Sequence, residues 1–370
     1  MESRDLPYFL IAISVLIGLS AVANAQTCLT PTGSYGTCVP IQSCLEIANE
    51  IRRYNGYLPQ SLKDQLIQLR CPGPSPNDIN ICCDSLPNNG GDDYESSLNQ
   101  YGLQILNDLK CGVPNGDRVA FGEKAKLGEF PWMALIKYNS VDKPYKCGGT
   151  LITHRHVLTA GHCLSATYNI VGVRLGEHDM NTDPDCEKRG RKFVCMPPVV
   201  EYGVEKIISH PDYKRRTLVN DVAIIKLNRD VEFNKHIKPI CLPITKRSIE
   251  LQSEQLYLVA GWGTTENSTS SSVLMKGLVK HQELGVCQNV FRRMRLTNEH
   301  LCAGGEGRID ACKGDSGGPL FFMAPYKTSN RYVQFGIVSF GVAACGLEEA
   351  LPGVYANIIP LMPWITSNLT

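Results

Sequence analysis

From Cys111 onward the chain alternates short apolar runs with turns rich in Gly, Pro and Asn. The runs are Trp132 to Tyr138, Thr150 to Thr159, Val222 to Leu227, Leu256 to Trp262 and Val333 to Phe340. Such lengths and compositions predict β-strands, so this part reads as an all-β body of sandwich or barrel type. Only Ile358 to Asn368, with Pro360 near its start, has the pattern of a closing helix. Upstream, Ser43-Cys44-Leu45-Glu46 forms a capping box that opens a helix with Leu45, Ala48 and Ile51 on one side, and Ser61-Leu62-Lys63-Asp64 opens a second. Residues 84 to 110, which contain Pro87-Asn88-Asn89-Gly90-Gly91-Asp92-Asp93, read as a polar, acidic tether between two domains.

The first apolar stretch, Phe9 to Val22, is too short to span a bilayer and ends in Ala23-Asn24-Ala25. This is the pattern of a signal peptide over residues 1–25, cleaved before Gln26, and it implies secretion. Glu2 and Asp5 outweigh Arg4, where such segments usually begin positive, which leaves an uncleaved anchor as the alternative. The net charge of +1 conceals a polarised tether: residues 84 to 110 carry one basic and five acidic side chains, against four and four in residues 26 to 83. No basic arm suited to nucleic acid is present, and Arg292, Arg293 and Arg295 read as a solvated face.

All sixteen cysteines follow the signal segment. An even number fits extracellular disulfides. Zinc fits poorly, because Cys82 and Cys83 are adjacent and no pair is spaced C-x-x-C. Six cysteines crowd between Cys28 and Cys83 in a module too small to fold on its core alone.

Gly314-Asp315-Ser316-Gly317-Gly318 matches G-x-S-x-G, a pattern shared by unrelated hydrolases. A nucleophile-elbow enzyme needs its acid and then its histidine after the serine, yet neither Asp nor His occurs beyond Gly317. The base must therefore lie upstream. His162 stands out in Leu158-Thr159-Ala160-Gly161-His162-Cys163, where small neighbours leave its ring open, and Asp221 opens the apolar run Asn220-Asp221-Val222-Ala223-Ile224-Ile225. His, Asp, Ser in that chain order activates a serine by passing its proton to an imidazole that a carboxylate orients.

Thr-Ala-Gly-His-Cys, Asn-Asp-Val-Ala and Gly-Asp-Ser-Gly-Gly-Pro together resemble a chymotrypsin-family S1 peptidase over residues 119–370. The resemblance implies two antiparallel six-stranded β-barrels with a C-terminal helix. It assigns His162, Asp221 and Ser316 to catalysis and the backbone N–H groups of Gly314 and Ser316 to an oxyanion hole, with no cofactor for the chemistry. It places Asp310 at the floor of the primary pocket, selecting Arg or Lys, makes Gly341 and Gly353 the pocket walls, and gives Ser339-Phe340-Gly341 to the substrate backbone. Phe340 stands where the family usually has Trp. Cleavage after Arg118 would free Val119, whose ammonium would pair with Asp315; Val119-Ala120-Phe121-Gly122 departs from the common Ile-Val-Gly-Gly. The family's disulfides would be Cys147–Cys163, Cys287–Cys302 and Cys312–Cys345. Cys186 with Cys195 would staple a surface loop and Cys111 with Cys241 would tether the N-terminal part.

The first six cysteines resemble a clip domain over residues 26–83, with residues 84–118 as linker and activation segment. That likeness implies the pairs Cys28–Cys82, Cys38–Cys71 and Cys44–Cys83, and a clip-domain protease of arthropod haemolymph that acts in prophenoloxidase or Toll-ligand activation. Its implied partners are an upstream trypsin-like activating protease, a downstream protease zymogen or other protein substrate, and serpin-type inhibitors, with neither nucleic acid nor membrane. Glu177, Asp179, Thr182 and Asp185 supply hard oxygens in one loop, and the resemblance implies a structural calcium ion there. The alternative is an acidic solvated loop balanced by Lys188, Arg189, Arg191 and Lys192. Asn267 and Asn368 begin sequons, the second at a terminus expected to be poorly ordered. A binding-only pseudoprotease would lack an intact triad, and a digestive trypsin would not need the stapled module.

Overall fold

A computed structural model describes residues 27–29, 35–41, 44, 47, 51, 58–72, 79–83, 92–114, 124–164, 167–245, 255–263, 270–304, 315–341 and 351–370. They fall into two compact units, the first ending at Gly90 and the second beginning at Gly91.

In the first unit β1 (Thr27–Leu29), β2 (Tyr35–Pro40) and β3 (Asn80–Cys83) form an antiparallel sheet in that order, beside helix α1 (Gln60–Gln68). The helix starts one residue before the expected Ser61. Of the capping box, Ser43, Leu45 and Glu46 lie outside the described residues. The interior comprises Cys44, Ile47, Ile81 and Cys83, wrapped by Val39, Ile41, Ile51, Leu66 and Leu69. So small an apolar core supplies little folding free energy. Disulfides Cys28–Cys82, Cys38–Cys71 and Cys44–Cys83 cross-link it, with Cα–Cα separations of 5.8, 5.9 and 5.8 Å.

The second unit opens with helices α2 (Asp92–Ser97) and α3 (Gln100–Asp108). From Asp92 onward this corrects the reading of residues 84–110 as a polar tether. Leu98, Leu103 and Leu106 are buried in the main core, and α3 packs on the C-terminal helix, α5 (Ile358–Ser367). Asn99 caps α3 by accepting from the Gly102 N–H, and its own N–H donates to Thr366 Oγ1 at 3.0 Å. Helix and body approach closely at Gly102, where a Cβ would lie 1.9 Å from the Thr366 carbonyl oxygen.

Strands β4 (Met133–Tyr138), β5 (Tyr145–Leu151), β6 (His156–Thr159) and β7 (Ile170–Leu175) lead to a hairpin of β8 (Cys186–Arg189) and β9 (Lys192–Cys195). Then come β10 (Val200–Ser209) and β11 (Ala223–Leu227), which close a barrel in the order β10-β11-β6-β5-β4-β7. The run expected as one strand from Thr150 to Thr159 is a hairpin, turned at His154-Arg155 where Thr153 Oγ1 accepts the Arg155 and His156 N–H groups. A second closed barrel has the order β12-β13-β14-β17-β16-β15. Its strands are β12 (Leu256–Gly261), β13 (Met275–Gln282), β14 (His300–Ala303), β15 (Pro319–Tyr326), β16 (Ser329–Phe340) and β17 (Gly353–Asn357). Helices α4 (Leu284–Val290) and α5 (Ile358–Ser367) complete the unit.

Trp132 and Phe321, both fully buried, meet edge to face at 5.5 Å across the seam between the barrels, with Phe130 5.2 Å from Phe321. Also on the seam, Lys276 Nζ reaches both carboxylate oxygens of Glu129, at 2.8 and 2.9 Å. Both residues are about 6% exposed, so removing either partner would leave an uncompensated charge.

Gly102→Ala should lower the melting temperature, since the methyl cannot fit without moving backbone, an overpacking cost of about 1–3 kcal/mol. Amide exchange in α3 should accelerate in parallel. Tyr101→Ala, one residue away but 63% exposed, should change stability by about 0.5 kcal/mol or less. Equal melting of the two variants would contradict the docking of α3.

Candidate active site

The β6–β11 register opposes Thr159 to Ala223 and so sets the end of one strand beside the start of the other. His162 follows Thr159 in a single 3-10 turn, Gly161–Cys163, and Asp221 immediately precedes the paired segment of β11. Asp221 is wholly buried. Its Oδ1 accepts the His162 backbone N–H at 2.7 Å, while Oδ2 lies 2.8 Å from His162 Nδ1 and also accepts from Ser339 Oγ on β16. A carboxylate at Nδ1 holds the proton there and leaves Nε2 as the acceptor. The His162 side chain keeps 24% of its surface accessible, so the open face of the ring is available to a reacting group.

The turn carrying Ser316 packs against the same corner. Its backbone oxygen accepts from Gly148 N at 2.8 Å, and Gly317 N donates to Val338 O at 2.9 Å. Gly317 has φ of +80°, and a Cβ there would lie 2.3 Å from Thr159 Oγ1 and 2.5 Å from Gly148 O. Glycine is therefore required for both conformation and space. Gly148 follows Cys147, which is bonded to Cys163 beside His162, so one disulfide ties the serine turn's support to the histidine turn. One ring nitrogen of His162 and these two sulfurs lie within 4.8 Å of one another, but the sulfurs bond each other and leave no thiolate for a metal.

Asp315 Oδ1 accepts the Gly263 N–H at 2.8 Å. Ser339 is buried, Gly341 follows it exposed, and Gly353 opens β17 half-buried. Phe340 meets Phe291 edge to face at 5.2 Å. Among the described residues the structure also joins Cys111–Cys241, Cys186–Cys195 and Cys287–Cys302, and no cysteine is free. Arg118, Val119, Asn267, Asp310, Cys312, Gly314 and Cys345 lie outside the described residues. Asn368 caps the C-terminal end of α5, its Nδ2 donating to Trp364 O at 2.8 Å. The next residue, Leu369, is 1% exposed, so this terminus is packed, contrary to expectation.

Tyr213 belongs to this corner and was not marked by any sequence motif. A Cβ on Gly161 would lie 3.2 Å from its ring, beside His162, and burial with the nearby Asp221 charge pushes its phenol up to about 12. It therefore stays neutral throughout the physiological range.

The loop after β7 has its oxygens already engaged. Asp185 Oδ2 accepts the His178 and Asp179 N–H groups at 2.9 and 3.1 Å, and its Oδ1 accepts the Thr182 hydroxyl. Glu177 Oε1 accepts from His178 N, and its Oε2 lies 3.0 Å from an Arg174 guanidinium nitrogen. Asp179 Oδ1 accepts the Asn181 N–H. Burial, followed by the charge of Asp185, pushes the Glu177 carboxyl up against the opposing pull of Arg174. Protein N–H groups and a guanidinium already engage the Glu177 and Asp185 carboxylates and Asp179 Oδ1, so a calcium ion here would have to share or displace these contacts. Chelator should leave the melting temperature unchanged, whereas Asp185→Ala should lower it by releasing several buried N–H donors. A fall on chelation that calcium reverses would contradict this assignment.

Comparison with known proteins finds two family models along the chain. Residues 119–365 match the Trypsin family model, and residues 28–83 match that of the regulatory CLIP domain of proteinases. The chain is 38% identical to serine protease grass of Drosophila melanogaster, covering 97% of each, and 35% identical to phenoloxidase-activating factor 3 of Holotrichia diomphalia, covering 97% of this chain and 98% of that one. The crystal structure of the Drosophila Grass clip serine protease of the Toll pathway superposes with a TM-score of 0.66, covering 92% of this chain and 96% of that one. With both family models matched and 38% identity over 97% of each chain, the chain belongs to the clip-domain serine proteases of the trypsin family.

Proposed function

We propose that this protein is the zymogen of a secreted endopeptidase, switched on by cleavage after Arg118, that cuts protein substrates after Arg or Lys in an extracellular cascade leading to melanization or Toll activation. The observation that carries the reading is the buried Asp221 carboxylate, with three donors on it, holding His162 beside the Ser316 turn. In that geometry His162 Nε2 takes the Ser316 proton as the hydroxyl attacks a peptide carbonyl. Asp221 offsets the imidazolium charge, and His162 returns the proton to the leaving amine. The N–H groups of Gly314 and Ser316 stabilise the oxyanion, about 3–4 kcal/mol for each donor. Asp310 receives the substrate cation, and the substrate backbone adds as a strand along Ser339–Gly341.

Strand pairing supports the activation step. Lys124 bridges to Met275, Met275 pairs with Gly261, and Gly263 donates to Asp315. Lys124 thus sits two strand spacings, about 10 Å, from Gly261. The five residues back to Val119 reach about 17 Å when extended, enough to bring a freed ammonium to Asp315. Cys111–Cys241 and the docking of α3 on α5 keep the cleaved N-terminal chain attached.

Two named relatives, phenoloxidase-activating factor 3 and melanization protease 1 of Drosophila melanogaster, support the cascade role. An upstream trypsin-like protease is the activator, a downstream zymogen or other protein the substrate, and serpin-type proteins the inhibitors. The apolar stretch before Gln26 supports secretion. Among the described residues no helix is long and apolar enough to cross a membrane.

Ser316→Ala should lower kcat by roughly four powers of ten or more without altering secretion or melting. Activity retained in the pure variant would refute the triad. Arg118→Gln should give a protein that trypsin-like activators cannot switch on, while the wild type gains a new N-terminus at Val119 and separates into two chains only on reduction. Full activity of uncut Arg118→Gln would refute the switch.

A further inference from the structure

Two basic turns flank the end of the cleft. Lys214-Arg215-Arg216 forms the first. Lys214 pairs with Val219, and the Thr217 and Leu218 N–H groups both return to Lys214 O, at 3.1 and 2.7 Å. Leu218 and Asn220 adopt φ of 53° and 54°, a left-handed conformation that bulky side chains rarely take. The apex of this tight turn is Arg215-Arg216, both exposed. Its inner side is anchored to the active site, since Tyr213 covers Gly161 and the Thr217 backbone faces His300.

Residues 291–296 form the second turn. Gln288 clamps it from inside: its Nε2 donates to Met294 O and its Oε1 accepts the Leu296 N–H at 2.9 Å. Phe291, Met294 and Leu296 therefore turn inward, and Arg292, Arg293 and Arg295 are exposed. Phe291 packs edge to face on Phe340, and the His300 ring lies 6.4 Å from Phe340 on the same side. The second turn thus touches Phe340 directly and the first is linked to it through His300, and Phe340 is the middle of the strand segment that the proposed function gives to the substrate backbone.

Together they carry six positive charges, and among the described residues none of the six has a carboxylate within ion-pair distance. Elsewhere on the surface Arg155, Arg174 and Lys226 are each paired with glutamate. The titratable groups on the elements packed here are the acidic Asp212, Glu299 and buried Asp221, together with His210, Tyr213 and His300. Unpaired cations held rigidly on two converging turns present a field for an acidic chain.

We infer that Lys214, Arg215, Arg216, Arg292, Arg293 and Arg295 form a specificity rim that selects protein substrates with Asp or Glu at the second to fourth residues before the scissile Arg or Lys. The inference rests on the proposed peptidase activity. It adds a second charge requirement, opposite in sign to that of the primary pocket, so a cleavable segment must be acidic and then basic. An exposed linker that contains an isolated arginine would be a poor substrate.

The test uses the full-length protein activated to its two-chain form. Quenched peptides with Arg before the scissile bond carry either three Asp or three Asn ahead of it, and a simple arginine ester reports the proposed peptidase activity on its own. The acidic peptide should show about ten- to a hundredfold higher kcat/KM at low salt, the sum of several screened rim pairs, and most of that ratio should vanish near 1 M salt. The double variant Arg215→Glu with Arg216→Glu should bring the ratio to one or below, and so should Arg292→Glu with Arg293→Glu. Because both peptides are read on the same variant, loss of folded protein cancels from the ratio. Equal rates for the two peptides in an enzyme that hydrolyses the ester would overturn the rim and leave the peptidase reading intact. An acidic preference unchanged by both charge-reversal variants would overturn it equally.

Discussion

A carboxylate with no solvent access organises the catalytic body. Asp221 is wholly buried, and an ionised group in that position is tolerable only with partners on both oxygens. The partners come from separate parts of the chain: a backbone N–H and a ring nitrogen from the turn after β6, and a hydroxyl from β16 in the other barrel. Satisfying one charge therefore brings the barrels into register. The same demand orients His162 and leaves its second nitrogen as an acceptor. The Ser316 turn is seated by Gly148, Gly317 and the Cys147–Cys163 bridge.

The two units solve the problem of stability differently. The catalytic body buries a continuous core in which aromatic rings and the Glu129–Lys276 pair knit the barrels. Among its described residues the N-terminal unit has only a handful of buried apolar side chains, and three disulfides restrict its unfolded chain. Between Asp92 and Asp108 the chain has already joined the body. The close approach at Gly102 and the Cys111–Cys241 bridge make that attachment both packed and covalent. A cut at Arg118 would leave both in place.

Much of this was legible locally. Apolar runs bounded by turn residues mark β4, β11, β12 and β16 to within a few residues, because burial and strand propensity act on the same short segment. The motifs around His162, Asp221 and Ser316 are legible because each needs small neighbours and a fixed order. The helices from Asp92 to Asp108 were hidden because their strongest feature is polar, while the surface that receives Leu103 and Leu106 lies far along the chain on α5. Oxygen-rich residues near Glu177 suggested an ion, but residue type does not show that N–H groups and Arg174 already reach those oxygens. Arg292, Arg293 and Arg295 read as an ordinary solvated face; only tertiary structure links their turn, through Phe340 and His300, to the turn of Arg215 and Arg216.

In the proposed mechanism the Asp221-held imidazole makes one serine, Ser316, nucleophilic once the chain has been cut. Intact-mass and peptide analysis after exposure to an organofluorophosphonate measures this most directly, since such reagents phosphonylate only activated hydroxyls. The account predicts a single adduct on Ser316 in the two-chain protein and little in the uncut chain. An adduct on another residue, none after cleavage, or equal labelling before and after would contradict it.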